Sequence, residues 1–164
     1  MRKVFNEENN YWDSYYSDLR KNSQKKMPPS QFAAFCCAEL INKDIHFLVD
    51  IAAGDGRDTI FFANQGFKVF ALDKSSKAVK LLNDEFMNHP DVEVLEIDAT
   101  KDKLPQSSNF DLPHAYYARF FLHALEEDYL IEFFNNLSKT MKSSDYFFAE
   151  YRNEKDKNLH KETP

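Results

Sequence analysis

Residues 46–56 read HFLVDIAAGDG, an apolar run followed directly by two glycines. Apart from Asp50 the run after His46 is continuously apolar, which is typical of a parallel strand buried on both faces of a sheet. Gly54 and Gly56 account for two of only three glycines in the chain. Because glycine is used so sparingly, we expect the backbone at this turn to approach a ligand; the alternative is a tight strand-to-helix turn without one.

Strand and helix patterns alternate around this turn. Apolar periodicity predicts helices at 31–42, 57–65, 75–88 and 126–141, and strands at 46–52, 68–73, 92–98, 115–118 and 146–151. Such alternation indicates an α/β fold, a Rossmann-like and mostly parallel sheet with helices on both faces. The predicted inward positions of three helices are Phe32, Phe35, Cys36, Leu40 and Ile41, then Ala78, Val79, Leu82, Phe86 and Met87, then Leu130, Phe133, Phe134, Leu137 and Met141.

Composition divides the chain into three segments, although its length of 164 residues fits a single domain. Residues 1–29 are predicted to form an N-terminal helical segment, residues 30–152 carry the α/β pattern, and residues 153–164 form a polar tail. The first segment bears a helical stripe of aromatic side chains, a candidate docking surface, formed by Tyr11, Trp12, Tyr15 and Tyr16. We expect neither a signal peptide nor a membrane span, because no apolar stretch is long enough.

Charge and cysteine content narrow the possible partners. The net charge is −6, which argues against nucleic acid or an anionic membrane surface as the main partner. Cys36 and Cys37 are the only cysteines, and on a helix they point about 100° apart. That arrangement excludes a disulfide framework and a cysteine zinc site, so we predict no metal centre and a reducing, cytoplasmic location.

Candidate site residues follow the predicted strands, because ligands bind such sheets at the carboxyl ends of the strands, where the strand order reverses. Asp73 lies about 20 residues after the glycine turn, where a carboxylate accepts ribose hydroxyls. Asp98 ends the third strand, where a carboxylate can accept from an adenine amino group. The plainer alternatives are that Asp73 caps the following helix and that Asp98 is a turn residue.

These residues together resemble the class I S-adenosylmethionine (SAM)-dependent methyltransferases. Residues 49–56 (VDIAAGDG) match the first motif of that family, Asp73 matches its ribose-binding acid, and residues 98–99 match its adenine-binding pair. The resemblance implies SAM as cofactor and S-adenosylhomocysteine (SAH) as product. It implies a cofactor site formed by Asp50, Ala52, Gly54, Gly56, Asp73, Lys74, Asp98 and Ala99.

Further details follow from the same resemblance. The sequences GDGRD at 54–58 and YARFFLH at 117–123 are similar to small bacterial enzymes, some linked to capsule or surface-polysaccharide synthesis. An N-terminal helix covers the methionine end of SAM in the family, so the aromatic stripe of residues 11–16 is also a candidate lid. For Asp50 we expect contacts with backbone amides of the turn, and with the SAM amine through water; a purely structural role is the alternative.

The chain departs from the family pattern at two places. Ala52 replaces the first motif glycine, and we expect its methyl group to be tolerated while narrowing the cleft. The family sheet usually ends in an antiparallel hairpin, which no residue after Arg152 is expected to supply. Because an uncovered apolar edge strand invites pairing, we expect a longer natural chain or another subunit, as in a homo-oligomer, to cover the fifth strand.

The same residues are open to two other assignments of the cofactor site. In an NAD-dependent reductase the fingerprint would place a third glycine at position 59, which here is Thr59. A SAM-binding domain without catalysis would have the same motifs.

Asp58 lies at the start of a predicted helix. A carboxylate there interacts favourably with the helix dipole, so its presence needs no ligand.

The predicted reaction transfers a methyl group to a small-molecule or saccharide-type acceptor, at oxygen. The Asn/Asp-Pro-Pro-Tyr motif of amino-methylating DNA enzymes is absent, since residues 116–119 read YYAR. His123 is the candidate general base, and a core histidine is the alternative. Arg119, Glu150 and Arg152 are candidate substrate-binding residues that could instead pair with neighbouring charges.

Overall fold

The computed structural model describes residues 14, 28–106, 112–153 and 155. Its strands are β1 (Phe47–Ile51), β2 (Lys68–Asp73), β3 (Val92–Glu96), β4 (His114–Arg119) and β5 (Tyr146–Glu150). Its helices are α1 (Gln31–Asn42), α2 (Arg57–Asn64), α3 (Ser76–Phe86) and α4 (Glu127–Thr140), with a 3₁₀ turn at Leu122–Ala124. The sheet order is β3-β2-β1-β4-β5 and every neighbouring pair is parallel, which confirms the Rossmann-like α/β class.

Alternate residues of the strands build a separate core on each face of the sheet. Leu48 and its neighbours in register face α1 and α2, where the core comprises Ala33, Cys36, Leu40, Leu48, Phe62, Val69, Ala115 and Tyr117. On the same face, α3 packs over Ala71 through Leu82 and Phe86. The opposite face packs against α4 through Val49, Ile51, Leu72, Tyr116, Ala118, Phe133 and Leu137. Helices therefore cover both faces.

Four apolar residues predicted to face inward are exposed, and that part of the prediction was wrong. They are Phe35, Ile41, Met87 and Phe134. The buried stripe of α1 instead includes Cys37, because a helix that is apolar over much of its circumference buries only the side its neighbour covers. Met87 is the C-cap of α3 and follows Phe86, the last buried residue of that helix.

The outer edge of β5 bears no strand among the described residues, and β5 pairs with β4 alone. What covers this edge stays a prediction. The aromatic stripe of residues 11–16 and most of the polar tail lie outside the described residues. Within the described part of the chain, no helix is both long and apolar enough to cross a membrane.

Candidate functional site

The strand order reverses between β1 and β4. The chain runs outward from β1 through β2 to β3 and then returns to place β4 on the other side of β1. The register pairs Ile51 with Ala118, so the segments that leave these two strands begin side by side. This is the point at which parallel α/β sheets bind ligands.

The glycine turn is fastened to the end of β2. The Ala53 amide donates to the Leu72 carbonyl at 2.8 Å, and the Gly54 amide donates to Asp73 Oδ2 at 3.1 Å. Gly56 has a φ of +76°, and a Cβ there would lie 2.7 Å from Leu82 Cδ2 and 2.8 Å from a Phe86 ring carbon. Close packing of the turn against α3, together with the left-handed backbone, therefore explains the glycine at 56 without a ligand.

Ala52 has a left-handed backbone with a φ of +56° and an exposed side chain. The sequence predicts that its methyl group is tolerated while narrowing the cleft, and nothing in the structure contradicts that. The structure shows a backbone requirement as well, because the left-handed conformation is costly for any residue with a Cβ. The family glycine at this position is thus explained by the conformation of the turn.

Asp50 lies beneath the turn and is 3% exposed. Its Oδ2 accepts from the Thr59 hydroxyl at 2.6 Å, and no turn amide donates to it among the described residues, contrary to our expectation. Burial raises the pKa of the Asp50 carboxyl to about 8; the Thr59 hydrogen bond opposes the shift, and the carboxylates of Asp58 and Asp73 add to it. Asp50 is thus a buried support of the turn.

A second buried carboxylate, Asp58, joins three elements of the fold. It accepts from the Ser30 amide at 2.7 Å, the Ser30 hydroxyl at 2.8 Å and the Tyr117 hydroxyl at 2.8 Å. The same Ser30 hydroxyl caps α1 by accepting from the Ala33 amide. Sequence reasoning assigned Asp58 to the helix dipole and missed Tyr117; the available signal was a carboxylate on the same face of α2 as the buried Phe62.

Asp73 is also buried and links two loops. Its Oδ1 accepts from the Ser75 amide at 2.9 Å while its Oδ2 accepts from Gly54. Burial raises the pKa of the Asp73 carboxyl, and the two amide hydrogen bonds oppose that shift. Ser75, not Asp73, caps α3 by accepting from the Ala78 amide. A carboxylate has about four acceptor sites, so the backbone amides around Asp73 leave capacity for a further donor.

The end of β3 forms a pocket of about 220 Å³ lined by Lys74, Glu96, Asp98 and Asp102. Asp98 Oδ1 accepts from the amide and the hydroxyl of Thr100, so Asp98 is a turn residue. Its role in binding adenine stays a prediction. Ala99 is buried, and its carbonyl accepts from Asn136 Nδ2 at 2.8 Å. The pocket therefore brings Lys74 and Asp98 together, and the Ala99 side chain belongs to the core.

No cluster of three or more His, Cys, Asp or Glu residues suited to a metal ion occurs in the described ranges.

The ends of β4 and β5 collect the four acceptor-side candidates. Arg119 Nε donates to Glu150 Oε2 at 2.6 Å, so these two side chains do pair with each other. The Phe120 ring lies 4.1 Å from the Arg119 guanidinium carbon, 4.9 Å from that of Arg152 and 5.7 Å from the His123 ring centroid. Sequence reasoning missed Phe120, whose φ of +56° is not visible in a pattern of side chains.

His123 is half-buried in the 3₁₀ turn. The Arg152 amide donates to its Nδ1 at 3.4 Å, which places the proton of the neutral ring on Nε2. The backbone that leaves β5 thus contacts the Nδ1 side of the ring, and this contact favours the tautomer with the proton on Nε2.

Comparison with known proteins identifies the family. Residues 48–144 match the family described as a methyltransferase domain. The chain belongs to this family. No curated protein matches the chain closely enough to count as a relative. The matched residues of the methyltransferase domain run from β1 to the segment before β5 and include the glycine turn, Asp73 and the pocket at β3.

Solved structures share the fold of the methyltransferase domain at low identity. A complex named DhpI-SAM-HEP is 15% identical, with a TM-score of 0.63, over 92% of this chain and 66% of that one. Phosphoethanolamine N-methyltransferase 1 of Haemonchus contortus is 15% identical over 87% of this chain and 32% of that one, with a TM-score of 0.59. A SAM-dependent methyltransferase of Aquifex aeolicus is 19% identical over 86% and 76%, with a TM-score of 0.58. The chain thus spans only part of each of them.

Proposed function

We propose that this methyltransferase domain binds SAM where β1, β2 and β3 end and transfers its methyl group to an acceptor, with SAH as the product. The observation that carries the proposal is Asp73, a buried carboxylate at the end of β2 that the Gly54 amide holds against the glycine turn, where a ribose hydroxyl would meet it. Support also comes from solved neighbours whose names include SAM or SAH.

Each proposed cofactor residue has a separate task. Ala52 and Gly54 present backbone to the methionine end, and Asp73 accepts from the ribose. Lys74 and Asp98 line the pocket proposed for adenine, and we propose that the backbone of Ala99, the next residue, contacts the base. Asp50 and Gly56 act behind the turn, where they hold its shape against α2 and α3.

When bound, SAM supplies a methyl group on a good leaving group, so the protein chiefly aligns the reactants and excludes water. We infer an oxygen acceptor on a small molecule or a saccharide, as in surface-polysaccharide synthesis, because residues 116–119 lack the motif of amino-methylating DNA enzymes. Two neighbours are named as N-methyltransferases, of phosphoethanolamine and of a glycopeptide, so nitrogen is the competing acceptor.

His123 is proposed to receive the acceptor proton, and the geometry sets a condition on that role. The neutral ring carries its proton on Nε2 while Nδ1 accepts from the Arg152 amide. To act as a base at Nε2 the ring must first give up that amide hydrogen bond and change tautomer. Without such a change His123 acts as a hydrogen-bond donor to the acceptor.

Two alternatives remain distinguishable. An NAD-dependent reductase is disfavoured because Thr59 stands at the third glycine position, is fully buried and donates to Asp50. A SAM-binding domain without turnover has the same cofactor site.

The buried free thiols of Cys36 and Cys37 favour a reducing compartment such as the cytoplasm.

Calorimetric titration with SAM, SAH and NADH tests the proposal. We expect SAH to bind with a dissociation constant in the micromolar range, roughly −8 kcal/mol, and NADH not to bind. Asp73→Ala should weaken SAH at least about tenfold, because charge-assisted hydrogen bonds contribute about 1.5–3 kcal/mol each. The control is Asp91→Ala, which removes a carboxylate just before β3, at the amino ends of the strands and away from the proposed site. NADH binding in place of SAH, or unchanged SAH affinity in Asp73→Ala, would contradict the proposal.

A further inference from the structure

Residues 98–102, which we call the β3 loop, form a tight turn closed by its own side chains. Asp98 Oδ1 accepts from the amide and the hydroxyl of Thr100, at 3.0 Å and 2.7 Å. The Asp98 amide donates to Asp102 Oδ2 at 2.8 Å, and the Asp98 carbonyl accepts from the Asp102 amide at 2.8 Å. Asp98 and Asp102 also line the pocket at the end of β3, so the shape of the β3 loop sets the shape of one pocket wall.

A residue of α4 holds the β3 loop from outside. Asn136 Nδ2 donates to the Ala99 carbonyl at 2.8 Å and to the Asp102 carbonyl at 2.7 Å. A side-chain amide has two N–H donors, so these two contacts use both of them. The contacts join residues separated by 37 and 34 positions in the sequence. One side chain thus clamps the β3 loop at two points.

The clamp is itself held in place by the packing of α4. Leu137, which follows Asn136 in the helix, is buried in the core that also contains Ala99. The Asn136 carbonyl accepts from the Thr140 hydroxyl at 3.0 Å, and the Thr140 carbonyl accepts from Gln106 Nε2 at 2.6 Å. Helix and loop are therefore joined by apolar packing and by hydrogen bonds, which makes Asn136 a fixed point for the loop.

The β3 loop keeps one donor and one acceptor for a ligand. The Ala99 amide has no acceptor among the residues that the structure describes. Asp98 Oδ2 lies 3.7 Å from Lys101 Nζ, which is longer than a hydrogen bond, so this oxygen can accept from an amine. A donor and an acceptor on adjacent residues match a base edge that presents a ring nitrogen acceptor beside an amino group, as adenine does.

We propose that Asn136 is a positioning residue for base recognition. By clamping the β3 loop it sets the spacing of the Ala99 amide and the Asp98 carboxylate that a 6-aminopurine requires. The inference rests on the proposed function, which puts the adenine of SAM in this pocket. A 6-oxopurine carries a ring N–H beside a carbonyl, so it reverses donor and acceptor, and a loop held in one shape rejects it. A loop released by loss of Asn136 adapts to either base and discriminates less.

Calorimetric titration with SAH and with S-inosylhomocysteine, which has the 6-oxo base on the same ribose and amino acid, measures this discrimination. We expect the parent chain to prefer SAH at least about tenfold, since the wrong base leaves polar groups unpaired. Asn136→Ala should weaken SAH roughly tenfold and S-inosylhomocysteine little, so the ratio of the two affinities falls towards one. Asn135→Ala, at the exposed neighbouring position of α4, is the matched control and should keep the parent ratio.

Two further variants separate base recognition from other effects. Asp73→Ala should weaken both ligands alike, because they share the ribose, and should therefore leave the ratio unchanged. Asn136→Asp keeps the shape of the side chain but turns an acceptor toward two carbonyl groups. It should lower the ratio as Asn136→Ala does.

A parent-like ratio in Asn136→Ala would overturn the inference. An equal loss of both ligands in that variant would also overturn it, because it would show a general loosening of the fold and no effect on the base. Failure of the parent chain to bind SAH refutes the proposed function and this inference with it. SAH binding with an unchanged ratio in both Asn136 variants refutes the inference alone.

Discussion

Ala52 and Phe120 have the same left-handed backbone angle, a φ of +56°, just beyond the ends of the neighbouring strands β1 and β4. Each lies next to a hydrogen bond that fixes the chain there: the Ala53 amide donates to Leu72, and the Phe120 amide donates to Glu150. The left-handed region costs a residue with a Cβ roughly 1–2 kcal/mol. Both strained positions thus border the reversal of strand order where we place cofactor and acceptor.

Ala52→Gly should stabilise the fold. The exposed methyl group makes little packing, and relief of the left-handed strain outweighs the greater freedom of glycine in the unfolded chain. We expect a gain of up to about 1 kcal/mol, or a rise in Tm of about 2–4 °C. Thermal unfolding measures it. Ala53→Gly, at a position without positive φ, should lower Tm; equal effects at both sites would remove the strain argument.

Gly56→Ala should be strongly destabilising. Its Cβ would overlap Leu82 and Phe86 in a left-handed backbone, and overpacking plus strain cost about 2–5 kcal/mol together. Gly66→Ala is the matched control, because its φ is +87° but no atom lies within 4 Å of the added Cβ. Only the backbone cost of about 1–2 kcal/mol remains there. Similar losses in chemical denaturation of the two variants would show that packing against α3 is unimportant.

Asp50 should make stability fall as pH rises. The pKa of its carboxyl is about 8 in the folded protein against an ordinary value of 3.8, so between these values the folded state holds a proton that the unfolded state has released. Stability from this group is complete below about pH 4 and is lost as pH rises through 8, with a limiting slope of about 1.4 kcal/mol per pH unit.

Asp50→Asn tests this effect, since an amide oxygen can still accept from Thr59 while no proton is exchanged. Urea unfolding at several pH values between 5 and 8.5 should give a flatter profile for the variant and a relative gain at high pH. Asp55→Asn, an exposed carboxylate in the same turn, should follow the parent. Parallel profiles for the parent and Asp50→Asn would rule out proton uptake by Asp50.

His123 should be mainly the Nε2–H tautomer when no acceptor is bound. The reason is the Arg152 amide, which donates to Nδ1. Long-range ¹H–¹⁵N spectra of the imidazole at alkaline pH report the tautomer directly. His123→Asn keeps an acceptor near the Nδ1 position and should preserve the Arg152 amide resonance, whereas His123→Ala should shift it. A dominant Nδ1–H signal would contradict the hydrogen bond.

The same residue gives a kinetic prediction once an acceptor is found. If His123 receives the proton, His123→Asn and His123→Gln should each lower turnover by at least about a hundredfold at near-normal Tm and SAH affinity. If it only donates from Nε2, His123→Gln should keep most of the rate, because the glutamine amide supplies that donor. Steady-state rates of the two variants separate these roles.

Local pattern determined the fold class. Three features could be identified from the sequence because they depend on residues close together in the chain. They are the apolar run before Gly54, the alternation of helices and strands, and the carboxylates at 73 and 98. Right-handed parallel connections then bring the strand ends to one edge, which is why the candidate residues Asp73 and Asp98 could be named from position alone. The structure confirms the α/β class, and most predicted strand ends differ from the observed ones by one or two residues.

Only the tertiary structure decided which partners those residues have. Asp58 meets Ser30 and Tyr117 across separations of 28 and 59 residues, and no local pattern encodes such contacts. The apolar Phe35 and Phe134 are exposed because burial depends on which side of a helix a neighbour covers, not on apolarity itself. Likewise, the sequence presents Arg119 and Arg152 as two separate charges, and the left-handed turn at Phe120 is what places both against one ring.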